Sequence, residues 1–404
     1  MIPVSLKRQF IILLGLLLCG LLLLLCILQA HLLWMPESLG VIGRPLYRAA
    51  FFIILPVRVI VTIFIPRADY HWPLANLVWS CMGTPFFLWG GTTFFRRFAR
   101  TRRSRLAEDS ATLPNLVDMS RRGLLARSMV GVAGVVVSGM GGYASFVAPE
   151  RLRIRRYDLP IAQLPSVLDG LRIIHVSDTH YGPFTGLSYL EEVVQQVNRL
   201  RGDLVLLTGD YVHYTARAVE SGIALLGNLE SRFGAMAVLG NHDHWEGVER
   251  CRAAFARIGI PLLDNHRVFL DREGPVAKPE GGRTLCIAGV GDLWEDEVRI
   301  DQALGGVPED TPRILLSHNP DVAETLRATN RVDLMLSGHT HGGQVYIPGF
   351  GALVVPSRYG DKYVGGLCRG PCCPVIVSRG VGLAGIPIRF CVPPEIGVIT
   401  LYAS

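Results

Sequence analysis

The chain reads as a layered α/β domain preceded by a helical membrane region. Three observations lead there. Long apolar runs crowd residues 1–150, ordinary globular composition follows from Arg151, and the later part alternates short β-branched runs with helix-period segments. Residues 1–150 are expected to form a transmembrane anchor with three to four apolar spans, and residues 151–404 one globular domain large enough to bury its own core.

The spans come first. Half of the 404 residues are hydrophobic and 18% are charged, and that imbalance belongs to the first region. Phe10 to Trp34 is almost unbroken Leu, Ile and Cys, long enough to cross a hydrocarbon core of ~30 Å as a helix. It exceeds the apolar core of a cleaved signal peptide, so a retained span is expected. Leu46 to Ile65 is a second candidate, interrupted by Arg48, Pro56 and Arg58. Trp72 to Phe95 is a third, with Trp72 and Trp89 near its ends, where interfacial aromatics belong. Leu124 to Val147 is a fourth, rich in the small residues that let helices pack closely. Ser120-Arg121-Arg122-Gly123-Leu124-Leu125 precedes it, either as an internal string resembling a twin-arginine export signal or as a positive flank. Both readings keep Arg121 and Arg122 inside and send the following domain outward.

The expected location is therefore the cytoplasmic (inner) membrane, multi-pass, with the domain from Arg151 onward on the outer face. The charges do not all agree. Lys7 and Arg8 favour a cytoplasmic N-terminus, and three full spans would then put the Arg96–Arg105 loop outside. Arg151, Arg153, Arg155 and Arg156 also pull against an outward domain. The net charge of +6 does not imply nucleic acid, because arginines such as Arg96, Arg97, Arg100 and Arg102 sit beside apolar runs, where they orient spans and meet anionic head groups. Nine cysteines make no disulfide scaffold in a chain this long. Cys19, Cys26 and Cys81 lie in apolar runs, while Cys368, Cys372 and Cys373 could hold a disulfide or a metal, or remain free thiols in a loop.

After Arg151 one pattern repeats. Leu171 to Val176 runs into Ser177-Asp178-Thr179-His180, and Asp203 to Thr208 into Gly209-Asp210. Ala235 to Leu239 runs into Gly240-Asn241-His242-Asp243, Arg313 to Leu316 into Ser317-His318, and Asp333 to Ser337 into Gly338-His339-Thr340-His341. Short apolar runs bounded this way predict buried strands. Between them, Leu187 to Leu200 has helical periodicity with Ser188 and Glu191 as a capping box, Val248 to Ile258 is a second helix, and Pro320 opens a third. In layered α/β folds polar site residues gather at strand carboxyl ends. A lone Asp-x-His or Gly-Asp is usually a turn. Five strand ends that each present Asp, Asn or His form a set suited to borderline divalent ions, and no cysteine among them suggests a thiolate zinc site.

The ordered set D-x-H, G-D, G-N-H-D, H and G-H-x-H resembles the calcineurin-like metallophosphoesterase superfamily from about Leu171 to Ser404. The Gly342-Gly343-Gln344, Val377-Ser378-Arg379-Gly380 and Pro393-Pro394-Glu395-Ile396 strings are similar to its bacterial membrane-associated branch, which includes cell-envelope phosphodiesterases and UDP-diacylglucosamine pyrophosphatases. The resemblance implies two facing β-sheets flanked by helices. It implies that Asp178, His180 and His341 bind a first metal, that Asn241, His318 and His339 bind a second, and that Asp210 bridges them. It places His242 beside the metals as a catalytic residue, oriented by Asp243. The implied cofactors are two divalent ions (Mn, Fe or Zn), and the implied reaction is attack of a metal-bridging hydroxide on phosphorus. Gly209, Gly240 and Gly338 would let the backbone approach the cluster. His175 is expected in the core, and His213 and His244 either in the cleft or on a surface loop.

The expected partners are a phosphate-ester substrate and the membrane, with no nucleic acid. The leading reading is hydrolysis of a phosphodiester or pyrophosphate, with lipid-linked or cell-envelope molecules suggested by membrane attachment. A broad phosphomonoesterase is the alternative. A non-catalytic scaffold of the same fold is a third reading, disfavoured by the complete ligand set.

Overall fold

The computed structural model describes residues 139–214, 216, 218–279 and 283–404. The predicted spans, the arginine-rich loop and the twin-arginine string lie outside the described residues, apart from 139–147 at the end of the fourth span. Among the described residues no helix is long and apolar enough to cross a membrane. Residues 139–147 are helical, and the compact unit described here runs from Gly141 to Ser404, beginning before the compositional boundary at Arg151.

The elements follow in chain order. β1 (Arg153–Ile161) and β2 (Arg172–Val176) precede α1 (Leu187–Arg199); β3 (Leu204–Thr208) precedes α2 (Ala218–Leu226); β4 (Ala235–Val238) precedes α3 (Asn241–Ile258). β5 (His266–Leu270), β6 (Pro275–Val276) and β7 (Leu285–Gly289) lead to the short α4 (Ile300–Leu304), and then come β8 (Arg313–Leu316), a 3₁₀ turn Pro320–Thr325, and β9 (Leu334–Ser337). β10 (Tyr346–Ile347) and β11 (Gly351–Ala352) form a hairpin, followed by β12 (Gly366–Arg369), β13 (Pro374–Val377) and β14 (Glu395–Ala403).

Two mixed sheets result, one ordered β1-β14-β2-β3-β4 and one ordered β12-β13-β9-β8-β7-β5-β6. Their inner strands β2, β3, β7, β8 and β9 are buried on both faces, so they read as continuous apolar runs, and the period of two decides which layer each side chain joins. Ile173, Leu204, Leu206 and Met236 of the first sheet meet Leu285, Ile287, Ile314 and Leu334 of the second in one cluster between the sheets. Their neighbours Ile174, Val205, Leu207 and Ala237 point outward to α1, α2 and α3. Cys286, Leu315 and Met335 point outward on the far side, against Ala303, Leu304 and the 3₁₀ turn. The order is helices, sheet, sheet, helices, as the resemblance implied.

Two local expectations fail. The capping box is absent: α1 opens on Gly186 with no side-chain cap, because Leu187 docks against the core and starts the helix before Ser188. The second helix begins at Asn241 rather than Val248, with Gly247 at φ 126° kinking it in between. The three late cysteines Cys368, Cys372 and Cys373 are free thiols.

Candidate metal centre

β2, β3 and β4 are parallel neighbours in one sheet, and β7, β8 and β9 in the other. Their carboxyl ends bring the motif residues together where the two sheets meet. All seven expected ligands are buried: Asp178, His180, Asp210, Asn241, His318, His339 and His341. Five of them turn the chain sharply off a strand end with positive φ: Asp178 (55°), His180 (44°), Asp210 (58°), His339 (69°) and His341 (52°). Each such non-glycine conformation costs about 1–3 kcal/mol, so the surrounding fold over-determines this geometry. A Cβ on Gly338 would collide with Ser177 Oγ and the Asp178 carboxylate, and one on Gly240 with the Asp210 carboxylate. The backbone approaches the cluster there as expected.

The His and Asp donor atoms fall into three groups, each within 4.8 Å, two made of expected ligands and a third of His180, His213 and His242. In the first, Nε2 of His180 and Nε2 of His341 are 2.9 Å apart, and Asp178 Oδ1 lies 3.2 Å from the latter. In the second, His318 Nε2 is 3.1 Å from Asp210 Oδ2 and 3.1 Å from His339 Nδ1. Asp210 Oδ2 is also 3.5 Å from His180 Nε2, so one carboxylate oxygen stands between the groups. Asn241 Oδ1 is buried and accepts no hydrogen bond among the described residues. A buried amide oxygen without a donor is costly unless a ligand completes it.

The electrostatics say the same. Burial opposes a charge on His318, but Asp210, Asp178 and Asp292 outweigh it and push its pKa up to about 10. Burial likewise works against ionised Asp178, yet the His341 charge and hydrogen bond hold its carboxyl well below the usual range. Burial and neighbouring imidazoles hold His180 and His339 far down, hence neutral. His318 Nδ1 faces the Thr208 carbonyl at 2.7 Å, which keeps a proton on Nδ1 and turns Nε2 toward the centre. Carboxylates, imidazoles and an amide oxygen gathered at one place fit divalent cations.

Asp243 does not orient His242. Its carboxylate accepts from the N–H groups of Asp210 (2.8 Å), Tyr211 (2.8 Å) and Gly240 (2.9 Å), fixing the turn that carries Asp210 to the start of α3. The side chain that meets His242 is His213, with Nδ1 to Nδ1 at 2.8 Å. His213 is buried in the cluster rather than on a surface loop. The Gly385 N–H donates to His213 Nε2 (3.3 Å), which places the His213 proton on Nδ1. His213 then donates to His242, whose own proton lies on Nε2. The His242 backbone N–H donates to Asp210 Oδ1 (2.9 Å), tying the residue to the same centre. His175 is a core residue, bonded through Nε2 to Thr208 Oγ1 at 2.8 Å.

Sequence reasoning missed three further features. Asp292, past the end of β7, is buried beside His318, and burial raises its carboxyl pKa. Trp245 and Trp294 stack edge-on against His242 (4.5 Å) and His339 (4.4 Å) while remaining partly exposed. Arg389 is fully buried, and its Nη2 donates to the carbonyls of Arg379 (2.9 Å), Gly380 (3.1 Å) and Gly382 (2.6 Å) behind the ligands. No motif contained them; the strand register after β7 is the one signal that pointed to Asp292.

Residues 171–343 match the calcineurin-like phosphoesterase family. The chain is 32% identical over 293 residues to the metallophosphoesterase YkuE of Bacillus subtilis, covering 71% of this chain and 99% of that protein. This chain belongs to the calcineurin-like metallophosphoesterase family. Phosphodiesterase YaeI of Escherichia coli is 30% identical over 288 residues, 70% of this chain and 99% of its own length. A zebrafish (Danio rerio) transmembrane protein with a metallophosphoesterase domain is 30% identical over 353 residues, 84% of this chain and 76% of its own. This metallophosphoesterase is a metal-dependent hydrolase of phosphate esters, and its His/Asp groups are those that could hold the metal.

Proposed function

We propose that the chain is a membrane-anchored, binuclear phosphodiester or pyrophosphate hydrolase, its catalytic unit on the outer face of the cytoplasmic membrane. The observation that carries the binuclear reading is Asp210, whose Oδ2 lies between two separate donor groups. Asp178, His180 and His341 would hold one ion, and Asn241, His318 and His339 the other, with Asp210 common to both. When bound, two divalent ions supply Lewis-acid activation of water and neutralise charge on the phosphoryl oxygens.

The chain's own groups do the rest. His242 Nε2–H, fixed in that tautomer by His213, is a hydrogen-bond donor aimed from beside the ligands. A neutral imidazole whose proton is donated outward stabilises a phosphoryl oxygen better than it transfers a proton to a leaving group. The structure therefore favours electrostatic stabilisation over the general-acid role. Trp245 and Trp294 pack edge-on against His242 and His339 beside these groups. Diester chemistry is supported by the name of the YaeI relative. Anchoring is supported by the four apolar runs and by the name of the zebrafish relative, whose match covers more than residues 139–404 can supply.

The deciding experiment is metal analysis of the purified full chain together with a panel of monoesters, diesters and nucleotide pyrophosphates. Two ions per chain and preference for diesters or pyrophosphates is the expected result. One ion, or preference for monoesters, would overturn it. A protease-sensitive tag placed after Ser404, accessible in intact cells, checks the outer location; protection until the membrane is opened would overturn that.

A further inference from the structure

The β10–β11 hairpin and the residues just after it carry the three most exposed large hydrophobic side chains among the described residues. Phe350 at its tip is 88% exposed, and Leu353 and Val354 just after it are 61% and 71% exposed. Single exposed apolar residues are ordinary, but a contiguous set on one protrusion marks a contact surface. Tyr346 and Tyr359 border it, partly exposed.

The hairpin stands on the metal centre. A Cβ on Gly343 would meet Ala352 Cβ at 2.6 Å, so β11 lies directly against the turn that carries His341. Tyr346 N–H donates to the Phe390 carbonyl (2.9 Å), and the adjoining Arg389 N–H donates to the carbonyl of Ala144 (2.9 Å). Two consecutive residues thus join the hairpin to the helix 139–147. That helix presents Met140, Tyr143, Phe146 and Val147 to the exterior, and it is the end of the fourth apolar run, Leu124–Val147. Arg151 and Arg153 follow it, both exposed.

We propose that this hairpin rests in the interfacial zone of a phospholipid bilayer, so that the metal centre beside it receives phosphate groups of molecules held in that bilayer. The inference rests on the membrane-anchored hydrolase reading above. A bilayer, rather than a protein partner, is the occupant because the hairpin is tied through Phe390 and Arg389 to a helix with exposed apolar side chains that the sequence leads out of an apolar run. Tyrosines at the rim and arginines next to the helix match the polar, anionic head-group layer. Insertion of a few apolar side chains to the acyl boundary is what such a protrusion can achieve without spanning.

The test uses the full chain in its own membrane, with Phe350 replaced by the photoreactive p-benzoylphenylalanine, and with Arg272 replaced in the same way as a control. Arg272 lies between β5 and β6, toward the opposite edge of the larger sheet from β12. Lipid adducts at 350 and none at 272 are expected. Adducts to another polypeptide at 350, adducts at both positions, or no lipid adduct would each overturn the proposal. A second arm combines Phe350→Ser, Leu353→Ser and Val354→Ser. Hydrolysis of soluble nitrophenyl phosphodiester should stay within about twofold. Hydrolysis of a lipid-borne phosphodiester in phosphatidylethanolamine–phosphatidylglycerol vesicles should fall about tenfold or more. Equal losses on both substrates would overturn the proposal. If the unaltered chain cleaves neither substrate, the hydrolase reading fails while the cross-link still decides the hairpin. If the chain is absent from the membrane fraction, anchoring fails and so does the hairpin proposal.

Discussion

The two sheets contribute unlike chemistry to one centre. Among the expected ligands, the ends of β2, β3 and β4 bring the oxygen donors Asp178, Asp210 and Asn241 together with the imidazole of His180. The ends of β8 and β9 bring His318, His339 and His341, all imidazoles. Across the seam, His318 faces Asp210 at 3.1 Å and His341 faces Asp178 at 3.2 Å. The difference teaches that neither sheet holds a complete site. Carboxylate and amide oxygens come mainly from one side and imidazole nitrogens mainly from the other, so a cation bound there would tie the sheets together as well as serving chemistry.

The strongest way to break that asymmetry is to remove the charge shared by both groups. Asp210→Asn should lower turnover by roughly 10³-fold or more and strip metal from the full chain, because a neutral amide cannot offset two cations. Metal analysis showing two ions with normal turnover would reject the shared role. On the imidazole side, His318→Ala should lose metal while keeping the fold, read by metal analysis alongside circular dichroism.

A smaller effect distinguishes a ligand from a neighbour. His242→Ala should retain metal and slow turnover by about 10²-fold, equally for nitrophenolate and alkoxide leaving groups. A loss confined to poor leaving groups would restore proton donation as its role. His213→Phe should give a milder loss, roughly tenfold, with metal content unchanged, because it frees the His242 ring to take either tautomer. A matching loss in His213→Asn, which can still donate a hydrogen bond, would argue that only packing had been disturbed.

The smallest effect concerns protons. In the metal-free chain His318 is raised to about 10 by the opposing carboxylates once they outweigh its burial. A raised imidazole contributes stability that is full below its ordinary value of 6.5 and is lost as pH rises through about 10. Near neutral pH it is therefore protonated, and metal uptake must expel that proton. Calorimetric titration in buffers of different ionisation heat should show about one proton released per second-site ion. No release would mean that His318 is already neutral.

Much of this centre was legible in the sequence because its ligands ride on strand ends, where an apolar run and its polar stop are adjacent in the chain. Asp178, Asp210 and His318 each follow such a run. What escaped depends on contacts between distant segments. Asp243 looks like an orienting partner of its neighbour His242, yet it clamps backbone more than 30 residues away. His213 lay on a turn where exposure and burial were equally plausible, and Gly385, which sets its tautomer, is 172 positions away. The helix-capping pattern at Ser188 was a correct motif in the wrong register, because an apolar residue one position earlier had more to gain by docking.

Arg389 has a practical consequence for anyone who wants the catalytic half alone. Its backbone holds Ala144, and Ala144, Ser145, Ala148 and Pro149 are buried in the same unit. A polypeptide cut at Arg151, where the composition changes, would open that seat beneath an arginine whose guanidinium secures the loop behind the ligands. Trimming to Gly141, where the compact unit begins, keeps that seat filled.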